Sequence, residues 1–417
     1  MNFTYCLVLL FSTILQPDSE LLEAIRQDKY IAAGNHHTYI VEEEKYSDTR
    51  APRGYKPFYF SYYGRHGSRY LTGAGSFVSG YADKLASLDS LGKLSAEGKK
   101  LLEWLRWSER EHRGNEGALT QTGFQEQKGI SRRFYRRYRR IFRQKSRRVV
   151  VSCSSPITRS IVSGASFALE LQKNSPKLQF DVKAGQKYYI TRWDPNPELD
   201  KIEKRIGDSL FRTRFEGDEF WGRMLMDSEA AGVFPDPEMA AQDIIHILGI
   251  SRCIDPEADP FSIFTEEELH AYAIAQNARN AAWFIHSTET GCYRDTNAGS
   301  HIVHDVLTKA RQAIEGNDVC ADLRFGHDSG VAPTLSYLHV DGYDKCTSLA
   351  EAYISWPAHK HITMACNFAF VFYRNRKGDI LVKILENEKE TTIPAVSPFK
   401  GPYYRWSDLE AYCNGLP

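Results

Sequence analysis

The sequence predicts an α/β protein whose strands deliver loops to one edge of a sheet, and three stretches carry that reading. "PFYFSYYGRHGSR" is an aromatic run that ends at a glycine, as a strand handing over to a loop does. "RRVVVSCSSPITRSIVSGASFALELQ" takes the β-branched Val149 to Val151 through a Ser-rich turn into a helical pattern. "CADLRFGHDSGVAPTLSYL" repeats that layout. With helices between them, the strand ends are expected to gather at one edge, where open α/β sheets bind ligands.

The other elements follow in chain order. Phe3 to Leu15 form an apolar stretch of signal-peptide length, too short to span a bilayer. Residues 1–18 are therefore expected to be an export signal, cleaved between Ser12 and Ser19, and the protein to be periplasmic or secreted; a buried first helix is the alternative. Between residues 174 and 297 the pattern turns helical and irregular, with Pro-rich joints such as "WDPNPELDK" and "FPDPEMAAQD". This segment is expected to be a helical cap inserted into an α/β domain made of residues 19–173 and 298–417. Within it, "TEEELHAYAIAQNARNAAWFIH" predicts a helix opened by a Thr265–Glu268 capping box. "ITMACNFAFVFYRNRKGDILVKILEN" predicts a hairpin turning at Asn375 to Gly378, and "WSDLEAY" a last helix capped by Ser407 and Glu410.

Bulk properties exclude some classes. The 417 residues carry 53 basic and 53 acidic side chains, a formal net charge of zero, so bulk charge favours neither nucleic acid nor membrane. No further apolar run approaches membrane-spanning length. The basic stretch "RRFYRRYRRIFRQKSRR" has Ile130, Phe134, Tyr138 and Phe142 at helical spacing, which predicts a buried stripe with the arginines as a solvated face. Eight cysteines show no zinc-site spacing, and removal of Cys6 with a signal leaves seven, so at least one thiol should stay free.

The chemistry concentrates in "RHGSR". Arg65 and Arg69 flank His66, and two cations beside an imidazole repel one another unless an anion sits among them. A phosphate monoester suits such a cluster. Guanidinium donates bidentate bonds to phosphate oxygens and keeps its charge, while a neutral imidazole can attack phosphorus. Phosphoryl transfer is mostly positioning and charge neutralisation, so such a cluster can act without metal or cofactor.

"RHGSR" resembles the RHGxRxP signature of the histidine acid phosphatases, with Leu71 in place of the final Pro. The resemblance implies a three-layer α/β/α fold of the phosphoglycerate mutase-like kind with a helical cap. It implies His66 as nucleophile, Arg65 and Arg69 as phosphate ligands, and a C-terminal His-Asp pair as proton donor. Of two such pairs, His304-Asp305 sits in an amphipathic helical pattern, whereas His327-Asp328 follows a strand and opens a helix. His327 is taken as a phosphate ligand and Asp328 as general acid, where related inositol polyphosphate phosphatases carry His-Ala-Glu. Arg159, after the second strand, is the fourth phosphate ligand. "GALTQTGFQEQ" resembles the family's L-T-x-x-G-x-x-Q block, its last position falling on Glu126, and is read as helix-entry architecture.

"RHGSRYL", "GALTQTG" and "PYYRWSDLEAY" look most like the multiple inositol polyphosphate phosphatases. The expected activity is hydrolysis of an inositol polyphosphate such as phytate through phospho-His66. The alternatives are a broad acid phosphatase on sugar or nucleoside phosphates and a non-catalytic phosphate-binding module; a mutase fits the motif less well. Lys187, Arg192, Lys201, Lys204 and Arg205 lean to the polyphosphate reading if they face the substrate.

Overall fold

The computed structural model describes residues 17–41, 46, 48–144, 148–153, 157–185, 196–292 and 298–417. The expected signal sequence, Cys6, Lys187 and Arg192 lie outside the described residues, apart from the last two signal positions, which belong to a helix, α1 (Pro17–Gln27). Among the described residues no helix is long and apolar enough to cross a membrane.

Among the described residues eight strands form one sheet: β1 (Lys56–Arg65), β2 (Arg148–Cys153), β3 (Gln179–Ala184), β4 (Val319–Gly326), β5 (Asn367–Arg374), β6 (Ile380–Glu386), β7 (Lys389–Thr391) and β8 (Tyr403–Arg405). Their order is β3-β2-β4-β1-β5-β6-β7, with β8 also on β6; the first four are parallel, and β5 onward antiparallel. In the β1–β4 register Arg65 faces Gly326, so both strands end together and pass into His66 and His327.

Alternation along β1 builds the layers, because successive side chains of a strand point to opposite faces. Phe60 and Tyr62 pack with Ile130 and Phe134 of α4 (Gln121–Phe142) and Phe167 of α5 (Thr158–Asn174). Tyr59 and Tyr63 pack on the other face with Ala278 of α10 (Glu266–Phe284), Ile302 of α11 (Ala298–Glu315) and Val331 of α12 (Asp328–Tyr337). This is the expected three-layer α/β/α arrangement.

A third apolar core is built from helices and the loops between them. It joins α2 (Ala74–Ser90) and α3 (Ala96–His112) to α7 (Gly217–Met224) and α8 (Pro237–Leu248), through Val78, Leu101, Phe220 and Ile244. The helical layer is thus assembled from residues on both sides of position 174. The segment expected to be a helical insertion also supplies a strand, since Gln179–Ala184 pairs in parallel with β2 at the sheet edge. Being half exposed, β3 lacks the apolar run by which β2 announces itself.

Local expectations fared unevenly. The capping box of α10 forms, Thr265 and Glu268 each bonding the other's backbone. The β5–β6 hairpin turns at Asn375, whose side chain accepts from the Lys377 and Asp379 amides. The Ser407–Glu410 box does not form: β8 runs directly into α15 (Trp406–Asn414), Ser407 donates to Asp408, and Glu410 accepts from Arg311. The stripe on α4 is buried as expected, yet the basic face is not wholly solvated. Arg133 is buried too, where it meets the fully buried Glu388 through both carboxylate oxygens. Cys292 and Cys346 form a disulfide; Cys153, Cys253, Cys320, Cys366 and Cys413 are free and buried.

Candidate active site

His66 leaves β1 as its first loop residue, and its backbone amide donates to the Gly326 carbonyl at 2.9 Å, prolonging the β1–β4 pairing by one step. The ring is 2% exposed. Its Nδ1 lies 2.9 Å from the Gly67 carbonyl, which can only accept, so Nδ1 carries the proton and Nε2 keeps its lone pair. Burial, then the charges of Arg65, His327, Arg159 and Arg69, hold the imidazole far below the ordinary histidine value. A neutral, correctly protonated ring is what a nucleophilic histidine requires.

The loop after His66 is held by the "GALTQTGFQEQ" block. Gly67 and Gly123 meet backbone to backbone: a Cβ on Gly67 would lie 2.5 Å from the Gly123 oxygen, and one on Gly123 2.3 Å from the Ser68 oxygen. Thr120 caps α4 by accepting from the Gly123 amide, and its hydroxyl donates to the Ser68 carbonyl at 3.0 Å. Glu126 accepts from both the amide and the hydroxyl of Ser68, at 2.7 and 2.8 Å, and Gln127 donates to the Arg65 carbonyl at 2.9 Å. The glutamate at the position where the family pattern has glutamine is therefore a half-buried acceptor that fixes the loop.

Three arginines converge here. Arg65 donates to the Asn35 and Ile362 carbonyls, both at 2.7 Å, and meets Asp328 Oδ2 at 3.1 Å. Arg69 donates to the Tyr70 carbonyl and Arg159 to that of Gly117, and neither has a carboxylate partner among the described residues. The Nε atoms of all three are buried without a hydrogen-bond partner among the described residues. Burial and the mutual repulsion with Arg65 and Arg159 bring Arg69 down to about 9, and burial and Arg65 lower Arg159 as well. Such a cluster is short of negative charge.

His327 and Asp328 come from the end of β4, where His327 stands at the N-cap position of α12 without a side-chain bond to it. The His327 ring is 5.4 Å from that of His66, edge on, and is brought down to about 4 by burial and then by Arg159. Burial pushes the Asp328 carboxyl up, but Arg65, His327, Arg69 and the bond from Asn35 outweigh it, so the group lies below its usual value. It is therefore ionised at neutral pH. The other pair plays no part here: Asp305 is taken by Arg324 at 2.6 Å. Lys201 and Lys204 pair with Glu198 and Asp208 of their own helix, α6 (Pro197–Arg212), and both lysines and Arg205 are exposed.

Sequence reading did not find Asn35, which touches both Arg65 and Asp328. It also missed His36 and His246, whose rings lie 4.7 Å apart, tilted, in the field of Arg69. "GNHH" carried the polar residues without a spacing that marks chemistry.

No family model and no curated protein matches the sequence. Among solved structures the chain is similar to the multiple inositol polyphosphate phosphatase of Bifidobacterium longum in complex with phosphate. The TM-score is 0.74 at 18% identity, over 92% of this chain and 97% of that one. The complex of the same enzyme with inositol hexasulfate gives 0.73 at 17% identity, with the same coverage. The phytase from D. castellii gives 0.69 at 15% identity, over 92% of this chain and 84% of that one. At such identities the likeness is one of fold, and it is the fold that the motif resemblance implied.

Proposed function

We propose that the chain is a phosphomonoesterase that works through a phosphohistidine on His66, with inositol polyphosphates as its substrates. The observation that carries the reading is the bare Nε2 of a neutral His66 set among three arginines that lack enough counter-charge. A bound phosphate supplies that charge. Phosphorus then takes the Nε2 lone pair while the ester oxygen leaves with a proton from Asp328. Bound phosphate neutralises Arg65 and repels the Asp328 carboxylate, so Asp328 is protonated when substrate is present although ionised without it. In the second step water attacks phospho-His66 and gives its proton back to Asp328. Arg65, Arg69, Arg159 and His327 hold the phosphoryl oxygens in both steps.

The substrate class draws support from the solved complexes of the fold neighbour with phosphate and inositol hexasulfate. A binding module without catalysis has no use for Asp328 beside the histidine. Export belongs to the same reading; it rests on the apolar N-terminus and on the Cys292–Cys346 disulfide, a bond that persists in oxidising compartments. The test is phosphate release from phytate and from an aryl phosphate, in chelator, at acid to neutral pH. Release from both, with phytate preferred, supports the reading. Preference for the aryl ester points to a broad acid phosphatase, and no release from either leaves the binding module.

A further inference from the structure

The two-step reading leaves one polar group at the site unused. Asn35 closes the 3-10 turn Lys29–His36, which breaks at Gly34, where φ is 57°. The break delivers Asn35 to the site, where its carbonyl accepts from Arg65 Nη1 at 2.7 Å and its Nδ2 donates to Asp328 Oδ2 at 3.3 Å. The remaining atom, Oδ1, is buried with no partner among the described residues. An unpaired buried acceptor costs stability and calls for an explanation. Since a carboxylate only accepts, the amide orientation with Nδ2 on Asp328 is required, and it leaves Oδ1 as the free end.

The two chemical steps differ in the acceptor they need. In the first, one proton moves from Asp328 to the leaving oxygen. In the second, the nucleophile is water, which has two O–H bonds, and Asp328 takes only one of its protons. We infer that Asn35 Oδ1 holds the second O–H of the attacking water, so that Asn35 and Asp328 together seat that water for hydrolysis of phospho-His66. The P–O bond forms as the P–Nε2 bond breaks, its electron pair returning to His66. One proton goes to Asp328, and the other stays on the departing phosphate. An alcohol attacking in place of water has a single O–H, which Asp328 takes, and so has no need of Asn35. Asn35 thus favours hydrolysis over transfer to an alcohol.

The inference rests on the phosphohistidine reading, and one assay separates the two. With an aryl phosphate and an added primary alcohol, phenolate release reports formation of the phosphoenzyme, and free phosphate reports attack by water. Asn35→Ala, which keeps the backbone carbonyl for Arg65, is expected to raise the ratio of transfer to hydrolysis on the order of tenfold. It should also show a phenolate burst of about one equivalent before a slower steady state, as expected when the second step limits. Asn35→Asp retains an acceptor at the position and is expected to partition as the unmodified chain does, whatever its rate. An unchanged ratio with no burst in Asn35→Ala, or Asn35→Asp partitioning like the alanine variant, overturns the inference. Phenolate release that survives in His66→Ala overturns the phosphohistidine reading itself.

Discussion

Two regions of the molecule bury arginine in opposite ways. On the helix α4 side, Arg133 meets the carboxylate of Glu388 through two nitrogens and is driven above the ordinary arginine value. Glu388 also accepts from Tyr39, so the group is closed on itself. At the sheet edge Arg69 and Arg159 donate, among the described residues, only to backbone carbonyls, and both are pushed the other way. The residue type is the same and the completion differs. Where the chain supplies the counter-charge the arginine is structural; where it withholds it, the deficit is what the proposed phosphate ligand would fill.

The sharpest way to break this contrast is at His66. If His66 is the nucleophile as proposed, His66→Ala should lower kcat by about 10⁴-fold or more. A modest loss in steady-state kinetics would mean that the cradle holds phosphate without bonding to it. Next, Arg133→Ala should destabilise the fold by about 3–5 kcal/mol in denaturant titrations, since Glu388 is left buried and unpaired. If that substitution proved harmless, the two regions would not differ as argued. Inorganic phosphate at a hundred times its Kd should stabilise the chain by about 2.7 kcal/mol in thermal melts. Arg69→Met should remove most of that gain while changing the empty protein by less than about 1 kcal/mol, because it deletes repulsion along with a bond.

The smallest effect is a slope. His66 stays neutral in the folded chain at pH values where the unfolded chain takes up a proton, because its folded value lies well below the unfolded one of 6.5. Stability should therefore fall as pH drops below 6.5, and His66→Asn should reduce that slope by about 1.4 kcal/mol per pH unit. His36 is buried neutral in the same way and adds a like contribution of its own, which its substitution would reveal separately.

How much of this was legible in the sequence follows contact range. β1, β2 and β4 with their loops could be read because each strand, turn and helix start is contiguous, and the motif residues sit on them. Glu126 stood in view within a recognised block, but its role as an acceptor for Ser68 depends on a packing of 58 residues' separation. Asn35 is 293 residues from Asp328, and no local period marks such a contact. Strand β3 was missed because half-exposed edge strands lack an apolar run, and the Ser407 cap because an adjoining strand had already set the helix start. Arg133 was misread because helical spacing separates apolar from polar faces yet cannot show that a polar residue finds a buried partner.

The most direct test of the central claim is to look for phosphorus on nitrogen. The protein would be mixed with a phosphate ester, quenched in alkali within milliseconds to preserve phosphohistidine, and digested for mass spectrometry. The account predicts the phosphoryl group on His66 and on no other residue, at up to one per chain, absent after acid treatment and absent from His66→Ala. Turnover with no phosphorylated peptide, or with the phosphoryl group on another residue, would contradict it.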